Sequence, residues 1–88
     1  MIEIAKEVNL RDVVAIDFPN HIKSRDHIKI QCQFHNERTP SLAIYDNRYY
    51  CYACGAQGDI IDWMRKVYNI TFKEAVRVLY EYARGQHN

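Results

Sequence analysis

The sequence predicts an α+β fold, in which a small antiparallel β-sheet carries short N-terminal helices and two C-terminal helices packed on one face. Two observations lead to this expectation. Apolar and polar residues alternate through the middle of the chain, as they do in half-buried strands. Apolar residues recur at helical spacing before residue 17 and after residue 59. We expect one domain over 1–88, with the sheet core at about 21–55 and the C-terminal helices at about 59–84.

Two short helices are expected over residues 2–16. Ile4 and Val8 share one helical face, and Asn9 followed by Asp12 three residues later is typical of an N-cap that restarts a helix. Pro19 disfavours helical backbone in the residue before it, so the second helix is expected to end there.

The first strands come from an alternating stretch at 27–32. Ile28 and Ile30 fall on one face of this stretch and Lys29 falls on the other. A short strand is expected before it at 21–23, joined to it by a tight turn.

A hairpin is expected next. Residues 42–45 alternate in the same way and are followed, across Asp46-Asn47, by a second strand at 48–52. The middle of the chain is therefore predicted to be an antiparallel sheet.

The C-terminal helices carry their own start signals. Asp59 is placed to cap the first of them, and Thr71 with Glu74 three residues later forms a capping-box pattern for the second. Gly85 suits the C-terminal end of the last helix.

The strongest chemical signal is a pair of short motifs, Cys32-Gln33-Phe34-His35 and Cys51-Tyr52-Ala53-Cys54, separated by fifteen residues. Structural zinc takes four nitrogen or sulfur ligands in a tetrahedron, and ligands two residues apart can converge on one ion. The spacing predicts a zinc ribbon with one structural Zn²⁺ held by Cys32, His35, Cys51 and Cys54. His21 and His27 are the alternative histidines. Four protein ligands leave no open position for catalysis.

Composition narrows the class of protein. The chain is 48% hydrophobic and 26% charged, which excludes intrinsic disorder, and its net charge of +1 indicates no overall basic surface. Three cysteines cannot all pair as disulfides. No signal peptide and no run of roughly 20 apolar residues is present, so we expect a reducing, cytoplasmic setting and no membrane partner.

Sheet parity predicts a surface that mixes cations and aromatic rings. If the isoleucines of the strands face the helices, four residues lie on the opposite face, and Arg38 lies beside the first cysteine motif. The five candidate DNA-binding residues are therefore Lys29, Arg38, Tyr45, Arg48 and Tyr50. Tyr52 falls on the same side. Single-stranded nucleic acid is bound by such surfaces through base stacking and phosphate contacts. Tyrosine is also simply a good strand residue, and exposed Lys and Arg are ordinary solvated charges.

Three stretches closely resemble the N-terminal zinc-binding domain of bacterial-type (Toprim) DNA primases. They are CQFHNERTPS from Cys32, YYCYACG from Tyr49 and GDIIDWM from Gly58, and the similarity extends over nearly the whole chain. Gln33 stands where the family usually has proline and Ala53 where it usually has glycine. The stretch between the two motifs is also slightly shorter than usual. None of these departures removes a ligand.

This resemblance implies a non-catalytic domain that contacts single-stranded DNA template and assists RNA primer synthesis in DNA replication. The implied partners are a primase catalytic domain, in the same chain or a separate one, and through it a replicative helicase of the primosome. The catalytic domain of such primases holds magnesium with clustered acidic residues. The present chain shows no glycine-rich phosphate loop and no paired-carboxylate motif, so we do not expect it to polymerise nucleotides alone.

Two other functions are compatible with the residues. A zinc-ribbon adaptor could use the same sheet face to bind another protein of a replication or transcription complex. The second possible function is an enzyme with zinc or a cysteine as its reactive centre. The four protein ligands argue against it, because they leave the metal no open position.

Overall fold

The computed structural model describes residues 2–34 and 39–85. Its helices are α1 (Ile2–Glu7), α2 (Leu10–Asp17), α3 (Ile60–Tyr68) and α4 (Phe72–Gly85). Its strands are β1 (Ile22–Lys23), β2 (Ile28–Ile30), β3 (Leu42–Ile44), β4 (Tyr49–Cys51) and β5 (Gln57–Gly58). The strands form one antiparallel sheet in the order β1-β2-β3-β4-β5. The predicted α+β fold is confirmed.

The helix starts are where the capping patterns place them. The Asn9 side chain accepts a hydrogen bond from the Asp12 amide at 3.0 Å and restarts the helix as α2. Thr71 and Glu74 exchange two hydrogen bonds of 3.1 Å at the start of α4. Each of these bonds satisfies an amide that the first helical turn leaves without a partner.

Helix α3 begins with a second reciprocal pair. The Asp59 carboxylate accepts from the Asp62 amide at 2.9 Å, and the Asp62 carboxylate accepts from the Asp59 amide at 3.1 Å. Asn69 ends this helix in the left-handed conformation, with φ 55°. Asp59 was expected as the cap, and Asp62 makes the cap a full capping box.

One face of the sheet forms the core with the helices. The residues of β2 and β3 that join the core cluster are those that the alternation predicts, namely Ile28, Ile30, Leu42 and Ile44. Ala43, on the opposite face of β3, is buried as well. Helices α1 to α4 add apolar residues to the same cluster. The helices therefore cover this inner face, and the opposite face of the sheet, the outer face, is left for other contacts.

An aromatic cluster fills the core at one end of the sheet. The ring of the fully buried Trp63 lies 5.4 Å from the ring of Tyr49, 5.9 Å from that of Phe34 and 6.3 Å from that of Phe18. Because Phe34 follows Cys32 by two residues and Tyr49 precedes Cys51 by two, this cluster supports both halves of the predicted metal centre.

Two details differ from the expected fold. The predicted strand 27–32 is shorter, at Ile28–Ile30, because the backbone leaves the sheet before it reaches Cys32. Strand β5 was not predicted, and it forms where the turn after Cys51 returns the chain alongside β4. Among the described residues, no helix combines the length and the apolar character that crossing a bilayer requires.

Candidate metal centre and sheet surface

Three cysteine thiols converge at one end of the sheet. The Sγ atoms of Cys32, Cys51 and Cys54 all lie within 4.8 Å of one another. Those of Cys32 and Cys54 are 3.8 Å apart, nearly twice the S–S bond length of about 2.0 Å, so the thiols are free and not paired as a disulfide.

The backbone explains why these thiols meet. Cys32 follows β2, Cys51 ends β4, and Cys54 lies in the turn that follows β4. That turn is closed by a hydrogen bond from the Gly55 amide to the Cys51 carbonyl at 2.8 Å. Gly55 has φ +78°, a conformation that glycine adopts without steric cost.

Hydrogen-bond donors surround the sulfurs. The Phe34 amide donates to Cys32 Sγ and the Cys54 amide donates to Cys51 Sγ, each at 3.4 Å. The Ser41 hydroxyl lies 3.5 Å from Cys51 Sγ. Such contacts orient metal ligands and stabilise their thiolate form. Ser41 was not recognised from the sequence as part of the site, since its contact depends on the pairing of β3 with β4.

The pKa values of two thiols move in opposite directions. Burial raises the pKa of Cys51, but hydrogen bonds from Ser41 and from the Cys54 and Ala53 amides outweigh it, and the pKa falls to about 6. Burial and the neighbouring thiols raise the pKa of Cys32 to about 11, against the Phe34 hydrogen bond. A metal ion held by these cysteines would bind them as thiolates, so both thiols would be deprotonated in the metal-bound protein.

The donor set fits zinc. A tetrahedral ion with Zn–S distances of about 2.3 Å separates its sulfur ligands by about 3.8 Å. The distance between Cys32 Sγ and Cys54 Sγ is 3.8 Å, so this pair is already spaced as the edge of such a tetrahedron. Soft thiolates in a tetrahedral arrangement favour zinc among the common divalent cations.

The predicted fourth ligand is a histidine. His35 and Arg38, both predicted site residues, lie outside the described residues. The two alternative histidines do not belong to the thiol cluster. His21 Nδ1 lies 2.6 Å from the Phe18 carbonyl oxygen, and His27 Nδ1 lies 2.7 Å from Asp26 Oδ1.

The other predicted surface residues are brought together on the outer face. Lys29 is opposite Ala43, and Ala43 is opposite Tyr50, so the three residues form one row across the sheet. The Arg48 guanidinium lies over the Tyr45 ring, 5.0 Å from its centroid. Four of the five predicted residues therefore share one surface.

Tyr52, which was placed on this side but left out of the candidate set, is central to it. The residue is 63% exposed, and its ring lies 5.1 Å from the Tyr50 ring, with the Lys29 ammonium 6.0 Å from its centroid. The hydroxyls of Tyr52 and Tyr45 are hydrogen-bonded at 2.8 Å, which raises the pKa of Tyr45. Each of these two rings therefore has a neighbouring cation and a tyrosine partner.

Comparison with known proteins gives consistent matches. A family model described as CHC2 zinc finger matches residues 1–87. The DNA primase of Mycolicibacterium smegmatis is 33% identical over 78 residues, which are 86% of this chain and 12% of that protein. The DNA primase of Chlamydia trachomatis is 38% identical over 72 residues, which are 77% of this chain and 12% of that protein.

A solved structure has the same fold. The crystal structure of Aquifex aeolicus primase, with zinc-binding and RNA polymerase domains, matches with a TM-score of 0.79 and 26% identity. The match covers 92% of this chain and 20% of that one. The present chain thus spans about 12% of the length of the curated relatives that it matches.

Proposed function

This chain belongs to the CHC2 zinc-finger family, the zinc-binding domain of DNA primases, and we propose that it binds single-stranded DNA template without itself being catalytic. In this role it assists a primase catalytic domain during RNA primer synthesis. The observation that carries the proposal is the outer face, where Lys29 and Arg48 lie beside a group of tyrosine rings that are half-buried or exposed.

Energetics favour nucleic acid on this surface. An exposed cation–π contact contributes about 0.5–1 kcal/mol, whereas a base stacked on an aromatic ring contributes about 1–3 kcal/mol. A base can therefore displace Lys29 from the Tyr52 ring or Arg48 from the Tyr45 ring with a net gain. The displaced cation remains on the same face, where it can meet the phosphate of the stacked nucleotide.

The sheet holds these groups in place. Lys29 lies two residues before the position at which the chain leaves the sheet towards Cys32, and Tyr50 directly precedes Cys51. A metal ion that joins the two cysteines would fix β2 relative to β4, and with them the spacing of Lys29 and Tyr50. We therefore propose that the zinc ion is structural and acts on DNA binding through the geometry of the strands.

One Zn²⁺ held by Cys32, Cys51, Cys54 and His35 is part of the proposal. X-ray absorption at the zinc edge should find three sulfurs at about 2.3 Å and one nitrogen at about 2.0–2.1 Å. A His35→Ala variant should lose the nitrogen while its three sulfurs remain. An unchanged nitrogen in that variant would transfer the role to another histidine. We also propose a cytoplasmic location, because clustered cysteines that bind metal and do not pair as disulfides are typical of reducing compartments.

Fluorescence anisotropy tests the DNA interaction. A labelled single-stranded oligonucleotide is titrated with the zinc-loaded 88-residue chain at low and moderate salt. An Arg48→Ala/Tyr50→Ala variant should bind several-fold to about 100-fold more weakly, since it loses one phosphate contact and one stacking surface.

Helix α4 offers a matched control. Arg84 lies 5.7 Å over the Tyr80 ring, so a Tyr80→Ala/Arg84→Ala variant removes the same residue types from a different surface. Its affinity should equal that of the wild type. Equal losses in both variants, at intact zinc content and stability, would contradict binding by the outer face. Flat titrations of the wild type would favour the protein-adaptor function instead.

The catalytic partner is proposed from the names of the relatives. A primase catalytic domain, in the same chain or encoded separately, is the expected partner, and a replicative helicase would be reached through it. A thiol-alkylation assay tests the non-catalytic part of the proposal. In zinc-loaded protein all three cysteines should resist alkylation, which would leave no reactive thiol for catalysis.

A further inference from the structure

A concave surface lies between helix α2 and the edge strand β1. It is a cleft of about 510 Å³. The polar side chains that line it include Arg11, Asp12, His21, Lys23 and Arg25. We call this the basic cleft, because three of these side chains carry permanent positive charge and one carries negative charge.

The cations of the basic cleft differ in their partners. Arg11 Nη2 lies 3.0 Å from Asp46 Oδ1, which leaves the other guanidinium donors of Arg11 available. Lys23 and Arg25 are exposed and have no salt-bridge partner among residues 2–34 and 39–85. Two unpaired cations and one partly used guanidinium around a concave surface suit a phosphate group, which accepts several hydrogen bonds.

The histidine of the cleft has a defined tautomer. A carbonyl oxygen can only accept, so His21 Nδ1 carries the proton that it shares with the Phe18 carbonyl at 2.6 Å. This bond orients the ring at the entrance of β1. The permanently charged donors of the cleft are Lys23, Arg25 and Arg11.

The basic cleft opens at the end of the sheet that carries Tyr45 and Arg48. Ile28 is opposite Ile44, so the turn before β2 and the turn after β3 lie at the same end. The His27 ring lies 5.1 Å from the Tyr45 ring. Arg25 is two residues from His27, and two residues span at most about 7 Å. A strand that leaves the Tyr45 ring can therefore reach Arg25 within about two nucleotides.

We infer that the basic cleft binds phosphate groups of the DNA strand as it leaves the outer face over the turn at Arg25, an inference that rests on the proposed function. Lys23 and Arg25 would neutralise two phosphates, with Arg11 positioned behind them. The DNA strand would then contact the tyrosine rings of the outer face and the cations of the basic cleft. It would therefore cover more nucleotides than the outer face alone could bind.

The test measures the salt dependence of DNA binding. For single strands, log K falls with log salt with a slope of about −0.7 per neutralised phosphate. A Lys23→Ala/Arg25→Ala variant should therefore lose about 1.4 from the slope. Between 50 and 200 mM salt, the gap in affinity between wild type and variant should shrink about sevenfold.

A charge-matched control comes from helix α4. Lys73→Ala/Arg77→Ala removes the same two charges from a surface that does not line the cleft. It should leave the slope unchanged. If both pairs lower the slope equally, the effect is one of net charge and the inference is overturned.

The remaining outcomes separate this inference from the proposed function. If the wild type binds, the Arg48/Tyr50 variant loses binding, and the Lys23/Arg25 variant keeps both affinity and slope, only the inference fails. If the wild type does not bind at all, the proposed function fails with it. Inorganic triphosphate is the second probe. Calorimetric binding of triphosphate that depends on Lys23 and Arg25, with no change in the DNA slope, would overturn assignment to the strand in favour of a free phosphate ligand.

Discussion

Gly58 occupies a position where one additional methyl group has no space. A Cβ atom at Gly58 would lie 2.7 Å from Asp62 Cβ, 2.8 Å from Asp62 Oδ2 and 2.9 Å from the Tyr49 hydroxyl. Asp62 cannot simply move away, because its carboxylate accepts the hydrogen bond that closes the capping box with Asp59. We therefore expect Gly58→Ala to shift the start of α3 or to break this cap.

Two opposing effects determine how much Gly58→Ala lowers the free energy of unfolding. Overpacking of this kind costs about 1–3 kcal/mol. Replacing glycine by alanine also reduces the entropy of the unfolded chain, which returns about 0.4–1 kcal/mol. With the middle of each range, the net loss in the free energy of unfolding is about 1.3 kcal/mol, which lowers the Tm of a domain of this size by about 5–10 °C.

Thermal unfolding of the zinc-loaded protein, followed by circular dichroism, measures this loss. Gly85→Ala is the control, because a Cβ atom there meets no neighbour within 4 Å. With no clash to offset the entropy gain of about 0.4–1 kcal/mol, its Tm should equal that of the wild type or exceed it by up to about 8 °C. A Gly58→Ala variant that melts with the wild type would refute the close packing of β5 against the first turn of α3.

Four further substitutions address the metal centre and the helix caps. Cys54→Ser should leave dialysed protein without zinc and with a disordered sheet end, whereas Ser41→Ala should retain zinc with about 10–100-fold lower affinity, both measured by metal analysis and chelator competition. Asn9→Ala should lower the free energy of unfolding in urea by about 1 kcal/mol, because an N-cap bond to α2 is lost. Hydrogen bonds from Thr71 hold the pKa of the Glu74 carboxyl below its usual 4.5. The charged carboxylate therefore stabilises the folded state at pH values above 4.5, and this stabilisation is lost as the pH falls through the folded-state pKa. An NMR titration of the Glu74 carboxyl should therefore have its midpoint below 4.5 and should move upward in Thr71→Ala.

The helix boundaries could be predicted because their signals are local. Asn9, Asp59 and Thr71 each act on an amide within three residues, so a short window of sequence contains the whole interaction. The alternation of apolar and polar residues in β2 is local in the same sense, whereas all three residues of β3 are buried. Their predicted inner residues are buried, as expected.

Strand β5 could not be predicted for the opposite reason. Gln57 and Gly58 have low strand propensity and no alternation. They form a strand because the turn after Cys51 presents their backbone to Tyr49 and Tyr50. That pairing depends on the three-dimensional path of the chain.

The candidate site also has features that the sequence predicts and features that it does not. The spacing of the cysteines was enough to predict that three thiols would meet. Two other contacts depend on the register between strands, which the sequence pattern does not determine. They are the contact of Ser41 with Cys51 and the hydrogen bond between the hydroxyls of Tyr45 and Tyr52. The roles of the outer-face residues in DNA binding, and of His35 as a ligand, stay predictions.

Residue-level mapping of DNA contacts tests the central claim most directly. ¹⁵N-labelled, zinc-loaded protein is titrated with a single-stranded oligonucleotide, and amide shifts are recorded by NMR. We predict the largest shifts at Lys29, Tyr45, Tyr50 and Tyr52 on the outer face, with a second group around Arg25. Shifts confined to α1 and α4, or spread evenly over the surface, would contradict recognition of DNA by the sheet.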